Sequence, residues 1–241
     1  MRHFITIGLL FLCSCGSVYH PVKLYHHHFT IDSTYKPDSL MQAYLYPFRD
    51  SMDKEMKEIV GQTEVRLDSK RPYTSLGNFM TDAFLNQAKV KFDSTADFSI
   101  INFGNFRRPS IEIGPITKSV IFELMPFDNS MVLVKANGKM LKRYLEEMMV
   151  EGGGLSGAEL WFTGKTLKKV FIQGLDIDSA KQYTLVSFDY AASNPAKAWF
   201  FSQAERKDYN YLIRDALLDH VRSIKKVVQS NTLEKRIHID E

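Results

Sequence analysis

"INFGNFRRPSIEIGPITKSVIFELMPFDNSMVLVKANGKMLKRYLE", Ile101 to Glu146, carries the alternation of elements on which the reading of the fold turns. The apolar stretch "DFSIINF" (97–103) enters it as a buried strand and breaks at Gly104 and Asn105. Two adjacent arginines, Arg107 and Arg108, follow and are stopped by Pro109. "SMVLVKANGK" (130–139) reads as a second strand ending in an Asn137-Gly138 turn. "KMLKRYLEEMM" (139–149) reads as a helix with Leu141, Tyr144, Leu145 and Met148 on one side. Strands and an amphipathic helix thus follow one another within a single short segment.

The same mixture continues outward. Upstream, Ser75 reads as the N-cap of a helix whose stripe is Leu76, Phe79, Met80, Ala83 and Phe84. The strand "QTEVRLD" (62–68) and the loop "SKRPYTS" (69–75) precede it. Further back, Met41, Tyr44, Leu45, Phe48, Met52 and Ile59 fall near one helical face, with Pro47 expected to kink or restart the helix. Downstream, Gly152 to Gly154 end the 139–149 helix as a connector, since the Lys-Ser/Thr of a phosphate-binding loop is missing. Three strands are expected in "ELWFTG" (159–164), "KKVFIQGLDI" (168–177) and "KQYTLVSFDY" (181–190). A long helix is expected from about Asp208 to Val228, its basic end at Arg222, Lys225 and Lys226 complementing the helix dipole, and an edge strand in "EKRIHID" (234–240). Helices and strands mix without strict βαβ order, so the fold class is α+β: a single domain over 38–241 with a mixed β-sheet flanked by helices.

Composition bounds the function classes. The chain has 241 residues, 31 basic and 28 acidic, for a formal charge of +3, and this even balance argues against a nucleic-acid binder. "MRHFITIGLLFLCSC" opens with Arg2 and an apolar run from Phe4 to Leu12 that is too short for the about 20 residues of a membrane span, and it reads as a secretory signal. Leu12-Cys13-Ser14-Cys15-Gly16 resembles a bacterial lipobox, which makes 1–14 the signal peptide and Cys15 the lipidated first residue; a plain cleaved signal is the alternative. Residues 15–37 then form a polar tether, and the triple histidine His26 to His28 within it makes a poor preformed metal site. Cys13 and Cys15 are the only cysteines, so the folded part has no disulfide, zinc-thiolate site or cysteine nucleophile.

Hydrolytic machinery is hard to assemble from what remains. The seven histidines are His3, His20, His26 to His28, His220 and His238, none in an Asp-x-His or Gly-Asn-His context, and no Gly-x-Ser-x-Gly elbow exists. The residues suit instead the holding of an anion and a flat ring. Arg71 precedes a helix N-terminus, and Arg107 and Arg108 follow a strand, where a guanidinium grips phosphate or carboxylate through two parallel bonds. Asn102 both donates and accepts, as the edge of a heteroaromatic ring requires. Phe127, set in a loop by Pro126, offers a face for stacking. Each taken singly reads equally as a surface residue, a core plug or a solvated turn; their order along the chain carries the functional reading.

That order resembles the C-terminal domain of the 5′-nucleotidase and UDP-sugar hydrolase family, from about Leu40 to the C-terminus and most strongly from Asn102 to Glu146. In the family this domain supplies substrate specificity to a separate dinuclear metallophosphoesterase domain. The resemblance matches Leu76-Gly77-Asn78 to the family's Leu-Gly-Asn helix start and Arg71, with Lys70 as a substitute, to its preceding substrate arginine. It matches Asn102 to Arg107 to the Asn-Gly-Gly-Gly-Ile-Arg turn, and Pro126-Phe127, with Asn129 nearby, to the loop whose ring stacks on the base. Phe103 and Asn105 depart from two glycines of that turn, and Arg108 has no functional counterpart and is expected to face solvent. The family's Gly-Gly-Asp-Gly-Phe loop should follow Tyr190, where this chain reads "AASNPAKAWFF", so its acid is absent and Trp199 or Phe200 would replace its second ring.

The resemblance implies a domain that binds a nucleotide or nucleoside-like molecule through Arg71, Asn102, Arg107, Phe127, Asn129 and Trp199, with no catalytic residue and no cofactor of its own. Divalent metals would belong to a separately encoded metallophosphoesterase that it complements. Membrane contact would be through the lipid on Cys15 alone, outside the cytoplasm of a bacterium, in the periplasm or at the cell surface. The alternative is a surface lipoprotein that kept the fold and lost nucleotide recognition.

Overall fold

The structure, a computed structural model, describes residues 27–30, 32, 34–92, 95–227 and 233–240. The signal peptide, Cys15 and the tether up to His26 lie outside the described residues. Two compact units divide the chain, Met1–Tyr46 and Pro47–Glu241. Helix α1, Ser39–Met56, spans their boundary; it runs through Pro47, and none of its residues is buried. The Asp38 carboxylate accepts from the Met41 amide and caps it.

In the larger unit a five-stranded sheet sets the layers. Its strands are β3 (Phe98–Asn102), β6 (Ser130–Asn137), β7 (Gly153–Ser156), β11 (Gln182–Phe188) and β12 (Glu205–Leu212), in the order β12-β6-β11-β3-β7. Only the β11–β3 pair is parallel. Because side chains alternate across a strand, the sheet feeds two cores. Met131, Leu133, Val186, Phe188 and Ile101 face the first, with α2 (Ser75–Phe92), α3 (Lys118–Leu124) and α7 (Ile213–Ile224) over them. Val132, Val134, Leu185, Phe98 and Ile100 face the second, under α4 (Gly138–Met149) and a second sheet. That sheet has the order β10-β9-β8-β14, with β8 Ala158–Thr163, β9 Thr166–Ile172, β10 Leu175–Asp176 and β14 Ile237–Asp240. The expected edge strand is therefore present: β14 pairs parallel to β8 at the margin. Short strands complete the unit: β1 (Ile59–Thr63) between β5 (Gly114–Thr117) and β13 (Lys226–Val227), and β2 (Leu67–Asp68) paired with β4 (Ser110–Ile111).

Local chemistry corrects three sequence expectations. Thr74, not Ser75, caps α2: its hydroxyl accepts from the Gly77 amide at 3.0 Å, whereas the Ser75 hydroxyl accepts from the Asp68 amide at 2.8 Å. The Asn137-Gly138 step from strand to helix is as expected: the Asn137 side chain accepts from the Met140 amide at 3.0 Å and starts α4 directly. The glycine run is no connector: Gly153 and Gly154 open the buried strand β7, paired with Ile101 and Asn102 of β3. The helix expected from Asp208 is β12 as far as Leu212, and α7 starts only at Ile213.

The Leu-Gly-Asn start of α2 has a packing role. Leu76 is fully buried, and a Cβ on Gly77 would meet Gly154 Cα at 2.7 Å, so helix and β7 touch backbone to backbone. Asn78, buried beside them, accepts from the Leu155 amide at 3.2 Å and donates to the Glu234 carbonyl at 3.0 Å. A buried carboxamide with both ends engaged fixes the mutual register of three segments. Among the described residues, no helix is long and apolar enough to cross a membrane.

Candidate ligand-binding site

Three neighbouring strands deliver their ends to one rim. β3 and β11 run parallel and finish there, at Asn102 and Phe188, while antiparallel β6 begins there at Ser130, with Met131 opposite Phe188. The segments that leave or enter at this rim are the Asn102–Arg107 turn, the Phe127–Asn129 loop, and the short helix α5 (Asp189–Ala192). Ends of adjacent parallel strands are where open sheets place their ligands, because the connecting loops diverge and leave a crevice.

A cavity of about 170 Å³ occupies this crevice, lined by Asn105, Arg107, Met125, Phe127, Asn129 and Tyr190. Sites for drug-sized ligands occupy about 300–1,000 Å³, so this one holds a single flat ring system and leaves the rest of a larger molecule outside. Phe127 and Tyr190 are 49% and 67% exposed, and large rings left this bare are surfaces for stacking rather than core plugs. The Arg107 guanidinium lies 5.2 Å from the centre of the Phe127 ring and donates to the Gly104 carbonyl at 2.9 Å. One bond leaves most of its five donors free for an anion. The Asn105 and Asn129 amides add donors and acceptors to the wall.

Of the residues expected from sequence, Arg107, Phe127 and Asn129 thus meet in one cavity. Asn102 stands behind it, its side-chain oxygen accepting from the Asn105 amide nitrogen. Arg71 is placed otherwise: it pairs with Glu151 and stacks over Phe103, 5.0 Å from the ring centre. Phe103, in place of a small residue, therefore packs against Arg71 and, edge-on, against Phe106. Arg108 does not simply face solvent; it pairs with Glu123 and donates to the Ser110 carbonyl at 3.4 Å.

Trp199 does not line this cavity. It sits on α6 (Ala198–Phe201), its ring nitrogen donating to Glu147 Oε2 at 3.2 Å, with the Arg143 guanidinium 3.9 Å from its ring centre. Phe200 is fully buried and stacks on Tyr144 at 4.1 Å. The Lys197 ammonium bonded to Glu147 holds that carboxyl below the usual carboxylate range, against the opposing effect of burial. Both aromatic residues are thus committed to the second core. The ring that sequence reasoning missed is Tyr190, directly after strand β11 in "SFDYAASN".

A larger cleft of about 470 Å³, bordered by Ser156, Glu159, Glu234, Lys235 and Arg236, is open and has no aromatic wall. Arg236 there already binds Asp82 at 2.7 and 3.0 Å and the Leu155 carbonyl. It lacks the exposed rings that border the smaller cavity. Among the described residues, no group of three or more His, Cys, Asp or Glu side chains could hold a metal ion.

The chain is 35% identical over 128 residues to the trifunctional nucleotide phosphoesterase protein YfkN of Bacillus subtilis, a match covering 48% of this chain and 8% of that one. It is 28% identical over 176 residues to a 5′-nucleotidase of Vibrio cholerae, covering 67% of this chain and 30% of the relative. The fold superposes on the 5′-nucleotidase precursor of Thermus thermophilus with a TM-score of 0.72 at 22% identity, over 83% of this chain and 43% of the other. This chain therefore spans under half of each of these proteins. The family model described as "5′-nucleotidase, C-terminal domain" matches residues 59–203, more than half of the chain, and the protein belongs to that family of substrate-binding domains.

Proposed function

We propose that this domain binds a nucleotide-like ligand by its base in the crevice between Phe127 and Tyr190, with Arg107 placed for a phosphate or other anion. The carrying observation is the convergence of two exposed rings, two carboxamides and a guanidinium at the shared end of β3, β6 and β11. Stacking is worth about 1–3 kcal/mol per base, and one bidentate guanidinium contact adds charge-assisted bonds, enough for selective but moderate affinity. The phosphoester chemistry would come from a metallophosphoesterase on a separate chain, whose substrate range this domain sets. Attachment to a bacterial membrane, outside the cytoplasm, would run through a lipid on Cys15.

Calorimetry of the purified domain with adenosine, AMP and UDP-glucose tests the ligand reading. Saturable binding is expected for at least the adenine compounds, and Arg107→Ala should weaken AMP about ten-fold while affecting adenosine less. Equal affinity of wild type and Arg107→Ala for AMP would remove Arg107 from the site. Mixing the domain with the matching phosphoesterase chain is expected to change that enzyme's relative rates on these substrates.

A second reading is favoured by one contact. Asn105 occupies the side-chain oxygen of Asn102, which lowers the capacity of that carboxamide to read a base edge. A protein silent to all three compounds in the calorimeter would be the ligand binder that kept the fold and changed its ligand.

A further inference from the structure

We infer that Arg214 is a positioning residue that clamps the Phe127 loop into its ring-presenting shape, an inference that rests on the reading of Phe127 as a ligand wall. Arg214 belongs to the first turn of α7, just beyond edge strand β12. Its side chain is only 12% exposed, and it spans the loop: Nη2 donates to Asp128 Oδ1 at 2.6 Å and Nη1 to the Pro126 carbonyl at 3.5 Å. The guanidinium also lies over the Phe122 ring of α3, 4.4 Å from its centre. One residue earlier, the Ile213 amide donates to the Asn129 carbonyl at 2.9 Å.

The β12–α7 junction therefore holds positions 126, 128 and 129, the neighbours of Phe127 on both sides, while the Phe127 ring itself meets Arg107. A loop tip with a half-exposed aromatic collapses or wanders unless its backbone is fixed from behind. The rigid fork of arginine is suited to bridging a carbonyl and a carboxylate; a lysine has a single point charge and reaches one of them.

The test uses amide hydrogen exchange in the ligand-free protein together with adenosine calorimetry. In Arg214→Ala, loop exchange, read at the Ile213 amide that closes the loop on the Asn129 carbonyl, should speed up about ten-fold or more, with the amides of β6 unchanged, because the charge-assisted bonds that hold the loop closed are lost. Asp128→Asn, altered on an exposed side chain that cannot unfold the core, should give a smaller acceleration of the same amide. Arg214→Lys should restore part of the protection that alanine loses. Unchanged loop exchange in Asp128→Asn together with no rescue by lysine would overturn the clamp and leave Arg214 as packing. The two readings separate cleanly: faster loop exchange in a protein that binds no adenosine keeps the clamp and removes the nucleotide reading. Unaltered loop exchange in a protein that binds adenosine does the reverse.

Discussion

Tyr190 and Trp199 stand nine positions apart in the chain and do opposite work. Trp199 is tied down by Glu147 and roofed by Arg143, so its indole stabilises the second core. Tyr190 has no such partners around its ring, is two-thirds exposed, and borders the same cavity as Phe127. If the site stacks a base, Tyr190→Ala should weaken adenosine by about ten-fold or more, since the loss of one stacking face costs about 1–3 kcal/mol. Trp199→Ala should lower thermal stability and leave the adenosine dissociation constant where it was. A calorimetric series with these two variants decides which ring belongs to the site; the reverse pattern would return the role to Trp199. The family resemblance made Trp199 attractive because it stands where the second stacking ring is due. Nothing in residue type reveals which ring a neighbouring glutamate and arginine have already claimed.

Strand β7 shows at the scale of elements how glycine can mark close packing instead of flexibility. A strand of "GGLS" has almost no side chains with which to announce itself, and no alternation betrays it. It is buried because α2 approaches through Gly77: a Cβ on Gly154 would meet the Gly77 carbonyl carbon at 2.1 Å, a distance no relaxation of side chains can relieve. Gly154→Ala should therefore cost at least the about 1–3 kcal/mol of an overpacked core, read as a fall of about 2–4 °C in Tm per kcal/mol. Gly104→Ala is the contrast, because a Cβ there meets only Asn102 Nδ2, at an ordinary 3.7 Å, and its Tm should stay near wild type. Equal losses for the two would mean that helix and strand approach less closely than their backbone distances require. β12 escaped the sequence for another reason. As an edge strand paired only to β6, it carries Glu205, Arg206, Lys207 and Asp208 toward solvent, and the apolar stripe of α7 then extends backward through Leu212 and Tyr211 as if helical. β6, α4 and β11, by contrast, bury one or both faces, and their periods were legible residue by residue. Of the candidate site, Phe127 and Arg107 were singled out by their order along the chain, since residue type alone left each ambiguous; the crevice needed the parallel pairing of β3 with β11, which no local pattern encodes.

At the scale of the whole larger unit, the first core encloses a group that couples folding to pH. His220 lies on the inner face of α7, 7% exposed, 6.3 Å ring to ring from Phe79 of α2, and its Nδ1 has no partner. Burial pushes its imidazole below the ordinary histidine pKa, because the charged form would lose its hydration; the negative charge of Asp82 opposes this without reversing it. The folded state therefore binds this proton less readily than the unfolded chain, whose histidine titrates near about 6.5. Stability is fully present above about pH 6.5 and falls as pH drops from there toward the lower folded value, by at most about 1.4 kcal/mol per pH unit for one proton. Carboxylates held low by partners contribute in a different window. Asp219, where burial is outweighed by its bonds to Lys91 and Tyr211, loses its contribution only as pH falls through and below the ordinary range near about 4. Urea unfolding at about pH 7.5 and about pH 5.5 should thus show a loss in wild type that is smaller in His220→Leu, a replacement that keeps the site apolar and cannot titrate. Identical losses in the two proteins would take the imidazole out of the account and place the pH dependence on groups elsewhere. Since α7 carries both His220 and the arginine that braces the Phe127 loop, a fall in pH that destabilises the unit acts on the helix behind that loop.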